Sequence, residues 1–179
     1  MKTYAGIGSR ETPDNIQEIM TTVASALEKM GFILRSGGAD GADLAFENGV
    51  VDPSMKEIYI PFKGFNKSSS DLILDTFDNA QDAYATVDEF HPNPFAVKRW
   101  KKSYQLMARN SYQVLGRDHK SPSNFIICWT VGGKVKGGTG QALRMAKKYN
   151  IRVINLGSET GISDLKQLFI DIENGMYND

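Results

Sequence analysis

Three glycine-rich turns hold the residues of this chain whose types and spacing could do chemistry. Ser36-Gly37-Gly38-Ala39-Asp40-Gly41-Ala42-Asp43 and Gly137-Gly138-Thr139-Gly140-Gln141 each follow a short apolar run and open a segment of helical periodicity. Such a turn aims backbone N–H groups and a helix N-terminus at one point, which favours an anion such as a phosphate. Gly6-Ile7-Gly8-Ser9-Arg10 makes the third turn. There glycine allows close backbone approach, a hydroxyl can bond a phosphate oxygen, and a guanidinium can grip it bidentately. Asp43 and Glu47 lie one helical turn apart on a shared face. They suit hydrogen bonds to ribose or base, general acid–base work, or complementing the helix dipole. Arg109 and Asn110 form a polar pair beside Leu106, Met107 and Val114, placed either toward a pocket or on an exposed helix face. A Walker sequence is missing, since no Gly-Lys-Ser/Thr follows the glycines, which argues against ATP hydrolysis of that kind.

The elements that must position these residues alternate strand and helix. Thr3–Ile7 reads as a strand, and Thr12-Pro13 as an N-cap followed by proline at the first position of a helix reaching Met30. Ile16, Ile19, Met20, Val23, Ala24 and Leu27 fall on one face of it. Phe32–Arg35 reads as a second strand, Gly41–Asn48 as a helix, Glu57–Pro61 as a third strand, and Asp71–Asp82 as a short helix. Asn93-Pro94 repeats the cap signal for a long helix to Leu115, and Asn124–Thr130 is a strongly apolar fourth strand. Gln141–Tyr149 reads as a basic helix, Arg152–Leu156 as a fifth strand, and Ile162–Asn174 as an amphipathic helix. This order predicts an α/β fold: a Rossmann-like three-layer sandwich on a mainly parallel sheet of about five or more strands, as one domain over 1–179. Ligands of such sheets bind beyond the carboxyl ends of the strands, where all three turns fall.

Composition narrows the classes. Lys+Arg and Asp+Glu balance at 21 each, so no global charge drives binding to nucleic acid or membrane. The single cysteine, Cys128, excludes an internal disulfide and lies in the apolar run Phe125–Trp129, where it reads as a buried small hydrophobe. The apolar runs are too short to span a bilayer, so the expectation is a cytoplasmic protein with no membrane partner. His91 and His119 lack metal-ligand spacing, and neither a metal nor a cofactor is expected. Lys98–Lys102 is basic with Trp100 inside, which reads either as a stacking surface or as a solvated helix face with a core-facing ring.

With these residues assembled, the chain resembles the SLOG superfamily of Rossmann-like proteins, over roughly 3–156. Gly6-Ile7-Gly8-Ser9-Arg10 and the Ser36–Asp43 turn look like the GSR and GGAxGxD pattern of DprA (Smf) proteins. Gly137-Gly138-Thr139-Gly140 is similar to the phosphate-binding glycine motif of LOG phosphoribohydrolases, and Met107-Ala108-Arg109-Asn110 to their MxxRK segment. Asn110 replaces that lysine, and Arg144 stands at the position of the catalytic LOG glutamate. The resemblance, which takes in YspA/YpsA-related proteins and small single-domain phage and bacterial members, implies a nucleotide ligand and self-association into a homo-oligomer. The expected ligand-binding residues are Gly8, Ser9 and Arg10; Ser36, Gly37, Gly38, Ala39, Gly41 and Asp43; Asn110; and Gly137, Gly138, Thr139, Gly140 and Gln141. Three functions follow. The leading one is sensing or sequestering a nucleotide or nucleotide-derived molecule. The second is nucleotide N-glycosidase action, in which Arg109 holds phosphate or ribose and Asp43 or Glu47 assists departure of the base. The third, a DprA-like module for single-stranded DNA, is disfavoured by the neutral charge.

Overall fold

Apolar strands are the frame of this protein, whose computed structural model describes residues 1–177. The strands are β1 (Thr3–Gly8), β2 (Ile33–Ser36), β3 (Lys56–Ile58), β4 (Phe125–Trp129) and β5 (Arg152–Asn155), and every pairing is parallel. Their order, β3-β2-β1-β4-β5, reverses direction at β1/β4, where Gly8 stands opposite Trp129. The helices are α1 (Asp14–Lys29), α2 (Ala42–Gly49), α3 (Ala80–Phe90), α4 (Pro94–Lys98), α5 (Lys101–Leu115), α6 (Gly137–Lys148) and α7 (Gly161–Glu173). The architecture is α/β, a Rossmann-like three-layer sandwich, as the alternation of elements predicts.

Strand periodicity sorts the two layers. Tyr4, Phe125 and Ile127 face a core shared with Met20 and Leu27 of α1, Phe46 of α2 and Leu168 of α7. Their neighbours Ala5, Ile7, Ile126 and Cys128 face the opposite layer with Val114 of α5 and Ala142 and Met145 of α6. A parallel sheet buried on both faces therefore reads as a continuous apolar run rather than an alternating one. A third cluster joins Ala83 and Val87 of α3 to Tyr112 of α5 and to Tyr59 and Phe77.

Several boundaries differ from expectation for local reasons. Thr12 does not cap α1: its hydroxyl donates to the Ser9 carbonyl (2.7 Å), and the helix starts after Pro13. The Asp71–Asp82 segment holds only a 3₁₀ turn at Leu74–Thr76, with α3 beginning at Ala80. Asn93 does act as a cap, accepting from the Ala96 N–H (3.1 Å), but the helix it opens is short. Trp100 adopts extended φ/ψ of −119° and 105°, separating α4 from α5. The Gly137–Gln141 glycines are not a loop ahead of a helix; they form the first turn of α6 itself.

No helix among the described residues is long and apolar enough to cross a membrane. Cys128 is fully buried on β4, and burial pushes its thiol up to about 12. It is expected to resist a disulfide-exchange reagent at neutral pH in the native protein and to react fully once denaturant is added, because the thiolate is the nucleophile. Rapid native labelling, followed by absorbance of the released thiol, would show that β4 opens.

Candidate functional site

A cleft of about 550 Å³ opens at the β1/β4 reversal, within the usual size of a small-molecule site. Its walls come from the turn after β1 (Gly8, Ser9, Arg10, Glu11), from Ala39 and Asp43, from one side of α5, and from the chain after β4. The β1 turn is held by its own backbone. The Ser9 carbonyl accepts from the N–H groups of Thr12 and Ala42 (both 3.3 Å), so the start of α2 is tied to the first turn. The Ser9 hydroxyl oxygen accepts from the Glu11 N–H (3.1 Å), leaving its proton available to a ligand.

The second glycine turn is arranged differently from a phosphate loop. The Asp43 side chain folds back so that its carboxylate accepts from the Ala39 N–H (3.4 Å) and from Gly8. It also faces the Arg109 guanidinium at 3.5 Å, and both side chains are buried. Burial raises the Asp43 pKa, with Arg109 and the two backbone donors pulling it back down. Burial likewise lowers that of Arg109, against the pull of Asp43. The carboxylate thus occupies the space at the start of α2 where an external anion would compete with it.

From Arg109 the network crosses the floor of the cleft. Arg109 Nη1 donates to Asn110 Oδ1 (2.6 Å), and Asn110 Nδ2 donates to the Gly138 carbonyl (3.2 Å). Gly37 covers the guanidinium so closely that a Cβ there would fall 2.3 Å from Arg109 Cζ and from Gln113 Nε2. Two buried donors that line the cleft, Arg109 Nε and Gln113 Nε2, have no protein partner among the described residues. Unpaired buried donors are costly and call for an acceptor.

The start of α6 supplies the fourth wall. No side chain caps it, and its first backbone bond runs from the Gly140 N–H to the Lys136 carbonyl (2.9 Å). The amides of Gly137, Gly138 and Thr139 lie ahead of that bond, beside the exposed Lys134 and Lys136, and all five residues line the cleft. The loop before α6 is pinned at its start by Asn155. That side chain donates to Thr130 Oγ1 (2.7 Å) and accepts from the N–H groups of Thr130 and Gly157 (both 3.1 Å).

Nine residues expected from sequence therefore meet at the cleft with Arg109: Gly8, Ser9, Arg10, Ala39, Asp43, Asn110, Gly137, Gly138 and Thr139 share its lining, Asp43 doubling as the candidate acid. The rest lie elsewhere. Ser36 is buried under β1, its hydroxyl donating to the Gly6 carbonyl (2.7 Å). Gly38 and Glu47 line a separate cleft beside Lys56 and Asn66, because one further turn of α2 carries Glu47 away from the sheet reversal. Gly37 and Gly41 support the walls from behind, Gly140 packs against Val135, and Gln141 is buried with its amide donating to the Met107 carbonyl (2.9 Å). Arg144 is engaged by the Phe90 carbonyl. Gln113, Lys134, Lys136 and Thr130 belong to the cleft although no motif marks them. Trp100 is exposed, not core-facing. His91 accepts from the Asn93 N–H (3.1 Å), while His119 packs on Tyr112 with its Nε2 2.9 Å from Ser111 Oγ.

The fold and cleft define a Rossmann-like protein with a polar, partly cationic site at the sheet reversal. Comparison with protein-family profiles and with curated proteins finds no match. Among solved structures, the chain is similar to DNA processing protein A of Helicobacter pylori, with a TM-score of 0.54 and 18% identity over 93% of this chain and 72% of that one. That structure was determined for its single-stranded DNA binding mode. The likeness establishes a shared fold.

Proposed function

We propose that the cleft binds a nucleotide through its phosphate, within a single domain over 1–179. The observation that carries this reading is the convergence of the uncapped α6 amides, Arg10, Lys134 and Lys136 on one cavity whose floor holds unpaired Arg109 and Gln113 donors. The Asp43 carboxylate, already neutralised by Arg109, leaves the α6 end as the seat for negative charge. The ligand is a nucleotide unit, and the fold likeness to a protein that binds single-stranded DNA favours a unit of a single strand over a free nucleotide. The zero net charge is no obstacle, since Arg10, Lys134 and Lys136 bring cations together locally at the cleft.

Gly138→Asp tests the seat. A Cβ at 138 meets the flexible end of Met107 at 3.0 Å, and an acid in the first turn favours the helix dipole, so the protein should fold with an unchanged melting temperature. Affinity for mononucleotides and for a single-stranded oligonucleotide should fall at least about tenfold by calorimetric titration, the scale of one lost charged hydrogen bond. Retained affinity for both ligands rejects the site. Displacement of oligonucleotide by mononucleotides, measured across salt concentrations, separates the free ligand from the strand: strand binding weakens steeply with salt.

A further inference from the structure

A second surface lies at the junction of α4 and α5. Phe95 and Trp100 are 82% and 71% exposed there. The core does not need them: Val97 and Tyr104 from the same stretch pack against the cluster beneath α5. Because Trp100 takes extended backbone angles, the chain steps out of helical register between α4 and α5. Lys98, Arg99, Lys101 and Lys102 flank the indole on both sides. Lys98 pairs with Asp88, and Lys102 lies over the Phe62 ring at 5.5 Å. The Arg99 and Lys101 side chains are exposed and make no ion pair among the described residues.

We propose that this platform stacks unpaired bases of a single-stranded nucleic acid on Trp100 and Phe95 while Arg99 and Lys101 contact its phosphates. Exposed rings interleaved with free cations match a polymer that offers π faces and negative charge in alternation. A second copy of this chain fits the surface poorly, because a two-fold contact would set these cations against themselves. The platform is joined to the cleft by α5: Trp100 precedes Leu106 by about 9 Å of helix rise. It is a separate site and does not depend on the cleft reading.

The experiment is binding of a labelled oligothymidylate followed by anisotropy, with light scattering of the same samples. Trp100→Ala should weaken binding about tenfold or more, and Trp100→Phe should retain most of it, as stacking requires. Removing Arg99 and Lys101 should lower the log–log salt slope by about 0.7 for each cation lost. Mononucleotide titration into Trp100→Ala should match the wild type, which keeps a failure of the platform distinct from a failure of the cleft. The proposal is overturned if the wild type does not bind the oligonucleotide, if Trp100→Ala binds it unchanged, or if that variant instead changes the oligomeric state.

Discussion

Arg109→Leu is expected to destabilise the protein by about 3–5 kcal/mol in urea denaturation, a large share of the stability of a typical domain. The guanidinium and the Asp43 carboxylate are buried together at 3.5 Å, so removing one leaves the other uncompensated. The second substitution Asp43→Asn should recover a substantial part of the loss, since it removes the stranded charge. The pH dependence has a definite sign. Burial raises the folded-state pKa of Asp43, so the folded protein holds that proton to higher pH than the unfolded chain does. This contribution to stability is complete below the ordinary carboxylate value and is lost as pH rises through the raised one. Arg109 opposes the rise, and in Arg109→Leu the window extends further upward. Mild acid should therefore restore part of the variant's stability, and no pH response would show that Asp43 relaxes into solvent.

Gly41→Ala is expected to damage both stability and binding. Gly41 has φ 78° and ψ −122°, a region that side chains avoid at about 1–3 kcal/mol. A Cβ there would also sit 2.6 Å from the Ser9 carbonyl oxygen and 2.8 Å from Arg10 Cα, both backbone atoms that cannot rotate away. The turn after β1 must then shift, taking the Ser9 hydroxyl and Arg10 off the cleft. Gly137→Ala is the control, because its φ is also positive, at 64°, but a Cβ would meet nothing within 4 Å. Gly41→Ala should lose several times more stability than Gly137→Ala by denaturant titration. Equal losses would attribute the whole effect to backbone strain and uncouple the two turns.

Much of this architecture was legible in the residues. The strongly apolar run of β4, the short strand signal of β1 and the amphipathic stripe of α1 survive in the structure. α3 was hidden because its apolar face is made of Ala83, Val87 and Phe90 among Asp82, Asp88 and Glu89, a weak stripe in an acidic segment. The α4–α5 break was hidden because an indole inside a helical pattern reads as a core residue, and only backbone angles reveal the step outward. At the site, glycine spacing marked where the chain approaches a ligand but not what fills each approach. Asp43 returns to the amides of its own turn, and Glu47 is carried to another cleft by a single turn of helix. Gln113 carried a signal only in retrospect: it lies one turn beyond Arg109 on the same helix face.

The pinning of the segment between β4 and α6 has a thermodynamic consequence. Thr130 is fastened to Asn155 at one end, and Gly138 is fastened to Asn110 at the other. The stretch that carries Lys134 and Lys136 is short and closed at both ends, so few conformations remain for a ligand to freeze out. A guest entering this cleft meets walls whose ordering entropy was largely surrendered when the protein folded, and more of each new contact is retained as affinity.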